Sequence, residues 1–172
     1  LSSYPHGGMS TEQKVRECIN AVAHGAKEVE VVGNTRETKS FSYDYIRNEM
    51  QKVKEAVGKD ILVKFIIEIE YLSDEEAVLA CKAAMEAGID YIVTSTGEYC
   101  TLDEKNNDVM LIPTEKEVRL IRDTVRDTVH IQAEGNIVDT KTALALLKAG
   151  ADRISTPCPV KLIREFEQQE EA

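Results

Sequence analysis

Short runs of Val and Ile alternate along this chain with longer amphipathic stretches, and that alternation restricts the fold more than any single residue does. The runs lie at Val29 to Val32, Ile61 to Ile67, Tyr91 to Val93, Val129 to Gln132 and Arg153 to Ser155. Between and around them, Ser10 to His24, Tyr43 to Val57, Ser73 to Ala87, Thr114 to Arg126 and Thr140 to Ala149 carry apolar residues at helical spacing. Strands that alternate with helices are βα units, so the expected class is α/β with a parallel sheet.

The helix ends support the same reading. His24-Gly25-Ala26, Ala87-Gly88-Ile89 and Ala149-Gly150-Ala151 each put a glycine after the last turn and just before a strand. Ser73 with Glu76, and Thr114 with Glu117, have the spacing of capping boxes. The acidic end, 165–172, reads as a solvated or frayed tail.

With 172 residues, 42% of them hydrophobic and 30% charged, the chain has room for one substantial core. It shows no apolar run of bilayer length and no signal-peptide pattern, which makes the cytoplasm the expected location and a membrane partner unexpected. A net charge of -10 argues against nucleic acid, whose phosphates are bound by surplus Lys and Arg. Cys18, Cys81, Cys100 and Cys158 are scattered, with no CxxC pair and no His at zinc spacing, so neither a metal cage nor a disulfide framework is expected. Cys18 and Cys81 fall on helices as small hydrophobes, whereas Cys100 and Cys158 fall in loops, where a reactive thiol would be sought.

Tyr4-Pro5-His6-Gly7, Glu28 to Val32, Val63-Lys64-Phe65-Ile66-Ile67-Glu68, Thr94-Ser95-Thr96-Gly97 and Ala149 to Ile154 follow one another in an order and spacing that resembles the deoxyribose-phosphate aldolase family. The resemblance runs over nearly the whole chain. It implies a (β/α)₈ barrel of the class I aldolase type, with no cofactor and no metal. The family's Tyr-Pro-His-Gly segment follows its third strand, so the chain is expected to supply about six βα units, the third to the eighth, within residues 1–164. The first two units would come from residues ahead of Leu1, from another chain, or be replaced by a rearranged fold, and a start at Leu1 rather than Met favours the first of these.

The same resemblance sets the site positions. The family's Schiff-base lysine immediately precedes Thr-Ser-Thr-Gly, and here that position is Val93, which cannot form an imine. The second family lysine corresponds to Gln132, and the proton-relay Asp to Glu30. The family's phosphate turn corresponds to Glu134-Gly135-Asn136 and the loop after its last strand to Ser155-Thr156-Pro157, where Glu134 adds negative charge and Pro157 removes an N–H donor.

Strand alternation, anchored on the family's lysine positions, turns Glu28, Glu30, Lys64, Glu68, Tyr91, Ser95, His130, Gln132 and Glu134 inward. Lys64 is the candidate for a relocated imine, against structural pairing with Glu68 or Glu30. Glu30, Glu68 and Glu134 are weighed as a cation site, against the alternative that Glu68 pairs with Lys64 and Glu134 faces water. His130 is weighed as a general base, and His6 matches the family's own His.

The candidate catalytic residues are therefore Glu30, Lys64 and Gln132, and the candidate substrate binders Ser95, Thr96, Gly135, Asn136, Ser155 and Thr156. Loss of both lysines together with the altered phosphate turn favours a non-catalytic, regulatory or assembly relative, as a homo- or hetero-oligomer. The alternative is a lyase or isomerase working by acid–base chemistry on a small carbonyl or sugar-like compound.

Overall fold

The computed structural model describes residues 1–102 and 104–170. Helix α1 (Thr11–Ala23) leads into strand β1 (Glu28–Val32), and the short α2 (Thr35–Lys39) and long α3 (Tyr43–Val57) lead to β2 (Leu62–Ile66). A 3₁₀ turn (Ile69–Tyr71) and α4 (Asp74–Ala87) precede β3 (Tyr91–Val93). A hairpin of β4 (Cys100–Leu102) and β5 (Asp108–Met110) comes next, followed by α5 (Glu115–Val125), β6 (His130–Ala133), α6 (Thr140–Ala149), β7 (Arg153–Ile154) and α7 (Pro159–Glu170).

Five of the strands form one parallel sheet in the order β1-β2-β3-β6-β7. Ser2 makes an isolated parallel bridge to Val31, outside β1, and so occupies a sixth strand position. In a flat sheet β1 and β7 would stand about 19 Å apart, four strand spacings. Yet Glu28 of β1 and Arg153 of β7 meet at 2.8 Å. The sheet therefore curls round an interior into which both side chains project, as part of a (β/α)₈ barrel.

Along the outside each of α3, α4, α5, α6 and α7 packs on the helix before it, with α1 against α3, skipping the short α2. Val31, Phe65, Ile92 and Ile131 share a register and point to these helices, each 0% exposed. Burying one such side chain contributes roughly 1.5–3 kcal/mol, so this face holds most of the fold's apolar stabilisation. The expected capping boxes of Ser73 with Glu76 and Thr114 with Glu117 are both formed, and Ser10 with Gln13 makes a third. Gly88, in the left-handed region, ends α4 where expected.

Several elements differ from the sequence reading. The acidic end is not a frayed tail: α7 runs from Pro159 to Glu170, and Glu165 accepts hydrogen bonds from the Thr140 backbone N–H and hydroxyl at the start of α6. Residues 171 and 172 of that expected tail lie outside the described residues. Helix α2 and the β4–β5 hairpin were not expected, and Cys100 lies in a strand rather than a loop. Among the described residues, no helix is long and apolar enough to cross a membrane.

Candidate functional site

Inside the curl, the alternation of each strand brings together side chains far apart in sequence. Glu28 and Glu30 come from β1, Lys64 from β2, Tyr91 from β3, Gln132 from β6 and Arg153 from β7. The Lys64 amine lies 3.1 Å from Glu28, 3.8 Å from Glu30 and 3.2 Å from the Gln132 side-chain oxygen. Two carboxylates and one hydrogen-bonded amide oxygen thus surround this amine, engaging it within the interior network.

Gln132 completes the network by donating through Nε2 to Glu30 at 3.0 Å and to Glu134 at 2.8 Å. Arg153 bonds both Glu28 oxygens and lies over the Tyr91 ring at 4.8 Å. The Arg153 guanidinium, and after it the Lys64 amine, hold the Glu28 carboxyl below the usual carboxylate range. The three expected catalytic positions, Glu30, Lys64 and Gln132, are thus brought together, with Glu28 and Arg153 as further members.

One step along the strands the character changes. Val32, Ile66 and Val93, at 0%, 1% and 0% exposure, form a small apolar cluster separate from the main core. Val93, at the expected imine position, is packed among branched aliphatics.

At the C-terminal ends of the strands, which form the mouth, the chain departs from simple alternation. Glu68 follows β2 with φ 56, a left-handed conformation that costs a non-glycine residue on the order of 1–3 kcal/mol. This turns its carboxylate away from Lys64, so the expected Glu68–Lys64 pair is not formed. Instead Oε1 accepts from the Thr96 backbone N–H at 3.0 Å, while Oε2 is buried with no partner. Ser95 donates its hydroxyl to Glu70. Burial pushes both Glu68 and Glu70 up to about 7.

Ser95 and Thr96, expected as substrate binders, are buried, with Ser95 committed to Glu70 and the Thr96 hydroxyl accepting from the Glu98 N–H. Burial, with the neighbouring Glu30, raises the Glu134 carboxyl too, although it accepts from Gln132 and Ser155. The expectation that Glu134 simply faces water gives way to this half-buried, bonded position. Thr156 donates to the Ile137 carbonyl at 2.7 Å. Gly135 has φ +147, and a Cβ there would lie 3.1 Å from Pro113, so the turn is held against the segment after β5. Asn136 is half-buried beside it. The hydroxyls of the expected phosphate cradle are engaged by a carboxylate and a carbonyl, neither of which attracts an anion.

His130 opens β6 at the end away from the mouth, its side chain 61% exposed, stacked on Tyr91 at 5.0 Å and 3.5 Å from Asp152. That placement puts it at the far end of the inward face, in register with Tyr91 and away from the mouth. His6 bonds the Tyr99 hydroxyl at 3.1 Å. Among the described residues, no group of three or more His, Cys, Asp or Glu could hold a metal ion, so Glu30, Glu68 and Glu134 do not gather as a cation cage. A crevice of about 20 Å³ beside Glu30, lined also by Ser2, Glu17 and Cys18, is too small for a sugar.

Sequence reasoning missed Glu70 and Tyr4. Tyr4 hydrogen-bonds Glu98 and stands near Glu134 and Glu68, which together push its hydroxyl up to about 12. The signal for Glu70 is its place two residues after Glu68, just beyond the second strand.

No family model matches the chain. Curated relatives do. The chain is 37% identical over 171 residues to the deoxyribose-phosphate aldolase of Caldanaerobacter subterraneus subsp. tengcongensis, covering 96% of this chain and 68% of that protein. It is 38% identical over 168 residues to the deoxyribose-phosphate aldolase of Thermoanaerobacter pseudethanolicus, covering 95% and 70%. Among solved structures it superposes on an aldolase called QR15 with TM-score 0.85 and 33% identity, covering 98% of this chain and 71% of that one. It also superposes on the deoxyribose phosphate aldolase of Aeropyrum pernix, described as tetrameric, with TM-score 0.81 and 26% identity, covering 96% and 66%.

Proposed function

Because this chain belongs to the deoxyribose-phosphate aldolase family, we propose that it is a member without imine chemistry, a binding or assembly homologue rather than a working aldolase. The observation that carries this reading is Val93, fully buried with Val32 and Ile66 where the family resemblance places the nucleophilic lysine. The interior lysine that remains, Lys64, is held by Glu28, Glu30 and Gln132.

Assembly is supported by the far edge of the sheet. Beside β7, Leu144, Leu147, Ile154, Leu162, Ile163 and Phe166 line an apolar groove of about 350 Å³. Such a face next to an unpaired strand suits a further βα unit or another subunit. In this reading residues 1–164, extended by the remainder of α7, are the third to eighth units of the barrel. The chain works in the cytoplasm as an oligomer and binds a small carbonyl or sugar-like compound without a cofactor.

A second reading, acid–base lyase or isomerase chemistry, is supported by Glu68 and Glu70, carboxyls near neutrality at the mouth. In it these two carry the proton transfers rather than Glu30, which Gln132 occupies.

The test is borohydride treatment with deoxyribose 5-phosphate and with simple aldehydes and ketones, read by intact mass. No adduct is expected. A trapped adduct that disappears in Lys64→Met would overturn the proposal and restore an aldolase with a relocated nucleophile.

A further inference from the structure

The mouth carries more acid than the scaffold can compensate, and the excess is focused on one atom. Glu68 is 1% exposed, yet its Oε2 has no hydrogen-bond partner. Leaving a buried carboxylate oxygen unpaired costs several kcal/mol. Besides the hydrogen bonds from Thr96, the groups acting on this carboxyl are the carboxylates of Glu70 and Glu134.

The surroundings indicate what would satisfy that oxygen. Tyr71 and Tyr99 pack edge to face with centroids 4.7 Å apart, and His6 joins Tyr99 at 6.0 Å. Tyr4, 42% exposed, and Tyr71, 39% exposed, are open to solvent. Glu68 acts on all three of Tyr4, Tyr71 and Tyr99. Aromatic faces beside carboxylates attract an organic ammonium through its charge, while its N–H groups supply the missing donors. The carboxylates lack the geometry for a metal ion. An anion would meet the carboxylates of Glu68, Glu98 and Glu134, which stand together near Tyr4.

From the orphaned Glu68 oxygen, the surrounding acids and the tyrosine wall, we propose that the barrel mouth is a binding site for a small organic amine, its ammonium seated between Glu68 and Glu134 against Tyr4, Tyr71 and Tyr99. The proposal rests on the reading that the mouth no longer serves a phosphorylated sugar, and it deepens that reading by naming the ligand class. It needs no covalent step.

Isothermal titration calorimetry of the full chain with D-glucosamine, D-glucose and inorganic phosphate tests it. Glucosamine should bind at least about tenfold more tightly than glucose, phosphate should give no measurable heat, and Glu134→Gln should weaken glucosamine about tenfold. The isosteric Glu68→Gln should do the same, and far-ultraviolet circular dichroism would establish that each variant is folded. Equal binding of glucosamine and glucose, binding of phosphate, or unchanged glucosamine affinity in both folded variants would overturn the proposal. The borohydride result is independent: a trapped imine would refute the non-catalytic reading without altering the amine affinities measured here.

Discussion

Two acidic regions lie one above the other in this barrel, and they are built on opposite rules. In the interior, Glu28 and Glu30 are matched by Lys64, Arg153 and the Gln132 amide, so each charge has a partner. At the mouth, Glu68, Glu70 and Glu134 receive only neutral donors, and one Glu68 oxygen receives none. The interior thus has the character of a structural brace. The mouth keeps charge in suspense, which a protein sustains only where something else completes it.

The largest effect should come from breaking the brace. Lys64→Met leaves Glu28 and Glu30 facing each other, and urea unfolding should show a loss of about 3 kcal/mol. Adding Glu30→Gln should recover part of that loss, since the two residues share one network.

At the mouth the sign of the pH dependence is distinctive. Glu68 and Glu70 sit near 7 when folded, above the ordinary carboxylate value of 4.5, so the folded state holds protons that the unfolded chain releases. Their protonated forms therefore favour folding below about pH 4.5, and that stability is lost as pH rises through 7. The loss between pH 5 and 7.5 should be on the order of 2 kcal/mol, and Glu68→Gln should reduce it. Glu28, lowered by its cations, acts in the opposite sense, contributing stability above pH 4.5 that fades on acidification.

The expected order of pairing and folding was readable because alternation is local. Strand period, anchored on the family's lysine positions, turns Glu30, Lys64 and Gln132 inward, and they meet. Glu68 was misassigned because alternation ends at Ile66, and a left-handed residue sends the next carboxylate elsewhere, which no periodicity reports. Helix α2 is five residues long with only Thr38 buried, and strands β4 and β5 are exposed, so neither element imprints an apolar pattern on the sequence. Helix α7 shows in the sequence as Leu162 and Phe166, four residues apart behind Pro159, set among acidic residues that equally suit a solvated tail.

Smaller changes sharpen the contrast. Ser95→Ala removes a donor from Glu70 and should cost about 1 kcal/mol while raising the pH at which Glu70 titrates. Arg153→Lys keeps the charge on Glu28 but loses the forked geometry and much of the contact with Tyr91. It should cost only about 0.5 kcal/mol, measurable as a small shift in the urea midpoint.

The most direct test of the two-region account is a carbon-13 titration of the glutamate side-chain carboxyls, with Glu28, Glu68 and Glu70 assigned by single Gln substitutions. Glu68 and Glu70 should titrate near 7 and Glu28 below 4.5. If all three titrated together near the ordinary value, the mouth would hold no unsatisfied charge and the distinction between brace and binding site would fail.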